Sequence, residues 1–286
     1  MAEDDIARWA LKIEYDGTNY VGWQRQKDGL SIQTLIEAAA SKLVGGRAVS
    51  SITAGRTDAG VHASGMVIHL DFPADAPIND RQIRDGMGYY LKPHPVVVLQ
   101  AAPVSLDWSA RFSATWRSYR FTILNRQARP ALQENHVWHV KRPLDVDLMQ
   151  DGANFLLGTH DFTSFRAIAC QAKSAVRTLD VLKIHREGDL VLVDTQARSF
   201  LHHQVRNMVG SLVMVGSRQW PTEKMRDILE AKNRCAAGPT SPPAGLCLTR
   251  DGYPADPFAH GVHRPRTYHP EHFTPASVAT AARTTQ

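Results

Sequence analysis

Gly55-Arg56-Thr57-Asp58-Ala59-Gly60-Val61-His62 is the stretch of this sequence best suited to chemistry. Two glycines bracket a short polar loop between two strand-like runs, which permits a tight backbone and presents Arg56 and Asp58 at a sheet edge. A carboxylate held beside a cation could serve as nucleophile or base. An Asp in such a loop is also an ordinary turn former, so both readings stand on these residues alone. His62, His69 and the pair His202-His203 raise the question of metal. No HExxH occurs, and adjacent histidines on one helix would point in different directions rather than form a chelating face. Cys170, Cys235 and Cys247 are too scattered for a disulfide framework or a CxxC zinc site. GxxxxGK[ST] and GxSxG are absent, as is a Gly-rich phosphate cradle after a strand. The expected chemistry therefore uses no metal and no cofactor.

Charge points to a partner. The chain has 33 Lys plus Arg against 28 Asp plus Glu, a formal net charge of +5. The excess is uneven: residues 1–105 hold 10 basic and 12 acidic side chains, residues 106–286 hold 23 and 16. From Ala110 to Gln133 there are five arginines (Arg111, Arg117, Arg120, Arg126, Arg129) and no acid. Thr195 to Thr222 repeats the pattern with Arg198, Arg206 and Arg218 beside His202 and His203. Guanidinium suits phosphate forks and base stacking, and Phe112, Trp116 and Tyr119 lie among these arginines, so nucleic acid is the expected partner class. No apolar run approaches the about 20 residues a membrane helix needs. The acidic start, Met1 to Asp5, has no basic-then-apolar leader, so the expectation is a soluble cytoplasmic chain with reduced cysteines.

The elements that must position Asp58 follow from periodicity. Alternation predicts a strand over Arg8–Tyr15, and a turn signal at Asp16-Gly17-Thr18-Asn19 precedes the aromatic segment Tyr20-Val21-Gly22-Trp23. Ser31 caps a predicted helix through Leu43; strands over Ala48–Ala54 and Val61–Phe72 flank the Asp58 loop; a helix from Asn79 to Leu91 and a strand at Val96–Leu99 follow. That order is βαββαβ, the split ferredoxin-like arrangement. After a joint at Pro103–Asp107 the pattern roughly repeats, with strands at Thr115–Leu124 and Val137–Val140 and a helix over Leu144–Leu157 closed by Gly158. A hairpin of Val176–His185 with Leu190–Ala197 comes next, then helices over Leu201–Val215 and Thr222–Ala231, the latter capped by Thr222, and a strand at Leu246–Thr249. The expected fold is α+β: two ferredoxin-like halves whose strands form one continuous, mainly antiparallel sheet with helices on one face. The expected domains are residues 1–105 with the Asp58 loop and residues 106–259 with the basic segments; residues 260–286, rich in Pro, Thr, Ala and His, are expected to be a disordered tail.

Read together, these segments resemble the TruA-type tRNA pseudouridine synthase family. The loop Gly55 to Ala63 looks like its signature, and five further blocks are similar in family order. They are Tyr15-Asp16-Gly17 with Tyr20 to Gln26, Ala110 to Ala114 with Arg117 to Phe121, Gly158 to Phe165, Phe200 to His203 with Val205-Arg206-Asn207, and Ala237 to Thr240 through Pro243 to Leu246. Gln204 stands where the family usually has a hydrophobic residue, often Met. The resemblance implies isomerisation of uridine to pseudouridine at positions 38 to 40 of the tRNA anticodon stem-loop by a cofactor-free, Asp-dependent route. Asp58 matches the catalytic carboxylate, and Arg206 matches a basic residue that pairs with it and keeps it charged. Tyr119 matches a substrate-contacting tyrosine, Arg56 a residue entering the space left by a flipped nucleotide, and Leu246 an apolar contact to the base. A homodimer is implied too, one subunit presenting Asp58 while the other helps position the tRNA body.

Without the resemblance, Tyr119 and Leu246 read as strand packing and Arg206 as a surface residue or structural ion pair. Two other function classes fit parts of the pattern. A non-catalytic RNA-binding protein needs the basic face but not Asp58. A different RNA-modifying enzyme such as a methyltransferase needs a cofactor pocket, for which no suitable Gly-rich loop is found.

Overall fold

The computed structural model describes residues 6–259. The first half follows the expected order: β1 (Ile6–Tyr15), α1 (Ile32–Leu43), β2 (Ser50–Thr53), β3 (His62–Pro73), α2 (Asp80–Tyr90) and β4 (Val96–Pro103). Local chemistry fixes both helix starts. The Ser31 hydroxyl accepts the Thr34 N–H, and Asn79 with Gln82 forms a reciprocal capping box. The second half comprises β5 (Trp116–Leu124), β6 (Trp138–His139), α3 (Val146–Asn154), β7 (Gly158–Asp161), β8 (Val176–Glu187), β9 (Leu190–Ala197), α4 (Gln204–Gly216), α5 (Lys224–Ala231) and β10 (Leu246–Gly252).

The strands join in one ten-stranded sheet along β4-β1-β3-β10-β5-β9-β8-β7, with β2 beside β3 and β6 beside β5. Pairing is antiparallel except β10 with β3 and β6 with β5. Alternation along β1 sends Leu11 and Ile13 to the large core under the helices and Ala10 to a small cluster on the other face with Val67, Ala102 and Phe258. Leu212, Val213 and Val215 are core residues.

The last strand unites the halves. β2 covers Ile68–Asp71 on one edge of β3 and leaves the start of that edge open. β10 fills the opening, pairing Cys247 and Leu248 in parallel with His62 and Ala63 while its other edge runs antiparallel to β5. Farther along, the Asp251 carboxylate accepts the Val67 N–H at 2.8 Å, continuing the β10–β3 junction through a side chain.

Three sequence expectations change. Thr222 does not cap α5: Glu223 holds the N-cap position, in αR conformation, and no side chain caps the helix. α4 starts at Gln204 rather than Leu201, because His203 takes a left-handed backbone (φ 61°) that a helix cannot include. Gly158 opens an edge strand, β7, that periodicity over four polar-rich residues did not signal. The tail from 260 lies outside the described residues.

Burial pushes the Asp251 carboxyl up to about 7, far above its ordinary value, and one of its oxygens has no hydrogen-bond partner among the described residues. The folded chain therefore binds a proton that the unfolded chain releases near pH 4. Stability from this group is present at acid pH and lost as pH rises through about 7. Asp251→Asn should raise the melting temperature at pH 8 and leave it little changed at pH 4. Thermal melts across that range that show equal shifts at both ends would refute the assignment.

Candidate active site

Asp58 sits in the loop between β2 and β3, and the backbone of the aromatic segment holds that loop from behind. Trp23 N–H donates to the Thr57 carbonyl and Gly60 N–H to that of Tyr20. A Cβ on Gly22, at φ +96°, would lie 2.5 Å from the Thr57 carbonyl oxygen, so only glycine allows this approach. The Tyr15 and Thr57 hydroxyls are hydrogen-bonded at 2.7 Å inside the core. These contacts explain the Tyr-Asp-Gly and Tyr-Val-Gly-Trp segments, whose role periodicity alone did not reveal.

Arg117 ties the loop to the second half. It is buried on β5 and donates to the carbonyls of Ala54 (2.7 and 3.1 Å), Arg198 (2.7 Å), Arg111 (2.8 Å) and Ala114 (3.3 Å). This corrects the expectation that Arg117 belongs to a polyanion-binding surface. Arg120 and Arg126 lie on the surface but are already engaged: Arg120 makes a bidentate pair with Asp194, and Arg126 contacts Asp189 at 3.2 Å. Those acids come from β9 and the hairpin turn before it, which a scan of the basic segment could not see.

A cleft of about 1260 Å³ opens above Asp58 on the helix-bearing face of the sheet. It gathers Arg56, Asp58, Tyr119, Arg206 and Leu246, so the structure brings all five sequence-derived candidates together. Arg56 is exposed; Tyr119 and Leu246 are largely buried with one side toward the cleft. Asp58 is the single acid among the described lining residues, facing Arg56, Arg111, Arg117, Arg198 and Arg206. Arg206 Nη1 donates to Asp58 Oδ2 at 3.4 Å, and its Nε donates to the Ser241 carbonyl at 2.8 Å, which aims the guanidinium. Burial lowers the Arg206 pKa from its ordinary value, and the Asp58 carboxylate opposes that shift. Burial drives the Tyr119 phenol well above its ordinary value, so it stays protonated as a hydrogen-bond donor. Its ring meets Phe200 edge-on at 5.3 Å.

The two histidines before α4 also converge on Asp58. His202 Nε2 lies 3.3 Å from Oδ1, His203 Nε2 lies 3.5 Å from Oδ2, and the rings are 4.1 Å apart. The expectation that adjacent histidines diverge fails because both precede the helix and His203 is left-handed. With Asp58 they present three donor groups within reach of one another. The Arg206 guanidinium on the same carboxylate oxygen places a fixed positive charge where a cation would sit. A second group, Asp16, His62 and His136, is spent differently: Gly17 N–H donates to His62 Nδ1, while His62 Nε2 meets the Asn135 carbonyl.

The site's arrangement can bind a polyanion, seat a planar ring between Tyr119 and Leu246, and present one carboxylate to it. Comparison with known proteins is consistent with this. A family model described as tRNA pseudouridine synthase matches residues 12–113 and 153–254. The chain is 76% identical over 253 residues to tRNA pseudouridine synthase A of Gluconobacter oxydans, covering 88% of this chain and 92% of that protein. It is 54% identical to tRNA pseudouridine synthase A of Acidiphilium cryptum, covering 88% and 99%.

The Arg117 clamp has a measurable consequence. Lysine offers a single ammonium that cannot reach four carbonyls spread across three segments. Arg117→Lys should cost at least about 2 kcal/mol in urea unfolding, because carbonyls are left buried without donors. A loss under about 0.5 kcal/mol would place the tie between the halves elsewhere.

Proposed function

The chain belongs to the tRNA pseudouridine synthase family, and on that premise we propose that it isomerises uridine to pseudouridine at positions 38, 39 and 40 of the tRNA anticodon stem-loop. One observation carries the reading: a single carboxylate, Asp58, held by Arg206 at the floor of a cleft whose other charged described residues are all cationic. Such a cleft attracts a phosphate backbone and excludes competing acids, leaving one group to act on the sugar.

The reaction needs the target nucleotide out of its stack. Arg56, exposed beside Asp58, enters the space it leaves, and the extruded base lies between Tyr119 and Leu246. Asp58 acts at the ribose, by attack at C1′ or by removal of the 2′ proton toward a glycal. The N1–C1′ bond breaks, the uracil turns, and C5 bonds to C1′. Arg206 holds Asp58 oriented before the substrate arrives. The Tyr119 hydroxyl donates to the base or a phosphate. Residues 1–105 supply the Asp58 domain, and residues 106–259 the basic one. The enzyme works in the cytoplasm as a homodimer, the partner subunit steadying the tRNA body that one cleft cannot span. Among the described residues no helix is long and apolar enough to cross a membrane.

Purified protein incubated with unmodified tRNA should yield pseudouridine at positions 38 to 40 on sequencing after base-specific derivatisation; uridine unchanged at all three would overturn the proposal. Asp58→Asn keeps size and removes charge, so turnover should fall to background while tRNA binding persists. Tyr119→Phe should retain binding and lose rate if the hydroxyl donates as described.

Binding should weaken steeply with salt, with a log–log slope of about −0.7 to −0.9 per phosphate neutralised. Arg111 and Arg198 are exposed in the cleft wall and make no ion pair among the described residues. Arg111→Ala or Arg198→Ala should each reduce the slope magnitude by about one phosphate, whereas Arg120→Ala should change it less. Equal slopes for all three variants would contradict this division of the arginines.

A further inference from the structure

Formation of a C5–C1′ bond leaves a proton on C5 that must depart and a nitrogen, N1, that must gain one. Neither the Asp58 contact with Arg206 nor the donor role of Tyr119 accounts for that transfer. Resting on the pseudouridine reading above, we propose that the His202–His203 pair carries this proton, taking it from C5 and returning it to N1. Both imidazoles line the cleft, with His202 Nε2 3.3 Å from Oδ1 and His203 Nε2 3.5 Å from Oδ2 of Asp58. A neutral imidazole carries its proton on one ring nitrogen and keeps a basic lone pair on the other.

The backbone is built to hold this arrangement. His203 is one of three non-glycine residues with positive φ among those described, a conformation kept only where its surroundings impose it. Those surroundings are explicit. Ala167 N–H donates to the His202 carbonyl, Asn207 N–H to that of His203, and Gln204 N–H to that of Leu201. The buried Gln204 side chain returns the favour, accepting the Leu201 N–H at 2.9 Å. A hydrocarbon or thioether side chain at position 204 could not make that bond, so the Gln204 amide locks the histidine turn.

Charge favours a base here. The groups facing His203 are Asp58 on the β2–β3 loop, His202 in its own turn, Arg206 on α4 and Arg234 beyond α5. Burial lowers the His203 pKa from its ordinary value, and Arg206, Arg234 and His202 act in the same direction against the pull of Asp58. The ring is thus neutral near pH 7 and able to accept a proton. Burial pushes the Tyr119 phenol upward, so it holds its own proton near pH 7.

The step balances without an added reactant. The electron pair of the broken N1–C1′ bond stays on uracil. C5 attacks C1′ through the ring π electrons, and the resulting C5–H loses its proton to imidazole as the double bond reforms. The imidazolium then protonates N1, and the enzyme ends as it began.

The test uses full-length protein, tRNA carrying either uridine or 5-deuterouridine at the target, and single-turnover kinetics from pH 5 to 9. His203→Asn keeps a residue that tolerates the left-handed backbone but removes the base; His202→Asn probes the partner ring at an unstrained position. The wild-type rate should fall as pH drops through the His203 pKa, below about 6.5. His203→Asn should be slower by about 10²-fold or more, lose that acid limb, and show a larger deuterium effect, since C5–H cleavage becomes limiting. His202→Asn should reproduce the larger deuterium effect even if His203→Asn is poorly folded. A uniform loss of rate with wild-type pH profile and unchanged deuterium effect would assign the histidines to holding Asp58 and overturn the proposal, as would wild-type kinetics in both variants. Absence of pseudouridine with the wild-type protein is read separately and rejects the reaction itself.

Discussion

The buried Arg117 guanidinium is the interaction on which the candidate active site depends. Its donors go to main-chain carbonyls of three separate segments: the end of the β2 region at Ala54, the loop before β5 at Arg111 and Ala114, and the end of β9 at Arg198. Four residues after each of the first and last of these carbonyls stand Asp58 and His202. A charge taken out of water must be fully hydrogen-bonded or it destabilises the fold. Meeting that requirement here forces the Asp58 loop and the histidine turn to face one another.

The sheet makes that meeting possible. The short β2 leaves part of the β3 edge unpaired, and an unpaired edge in the interior of a fold is costly. β10, from the end of the described chain, fills it and brings Leu246 into the cleft that Tyr119 and Asp58 also line. The Asp58 loop therefore emerges where β2 stops and β10 starts. The candidate site and the closure of the sheet share one place.

Electrostatics is then arranged around a single negative charge. Cleft arginines divide into those spent on structure (Arg117), on aiming Asp58 (Arg206), and on neither (Arg56, Arg111, Arg198). Outside the cleft, Arg120 and Arg126 are balanced by Asp194 and Asp189, so the basic segment from Ala110 to Gln133 is less available to a polyanion than its composition suggests.

The sequence by itself determined much of the first half. Alternation and capping residues placed β1, α1, β3 and α2 within a few residues, because amphipathic period and N-caps are local properties. It also identified Asp58, Arg206, Tyr119, Arg56 and Leu246 as candidates through ordered motif blocks. Only the tertiary structure decided which arginines are free, because their partners lie tens of residues away. It alone turned His202 and His203 toward one carboxylate, because the left-handed backbone at His203 is imposed by hydrogen bonds from Ala167, Asn207 and the Gln204 turn rather than by the preference of histidine. β7 and the starts of α4 and α5 were illegible for the same reason: edge pairing and strained or uncapped helix ends depend on neighbours in space.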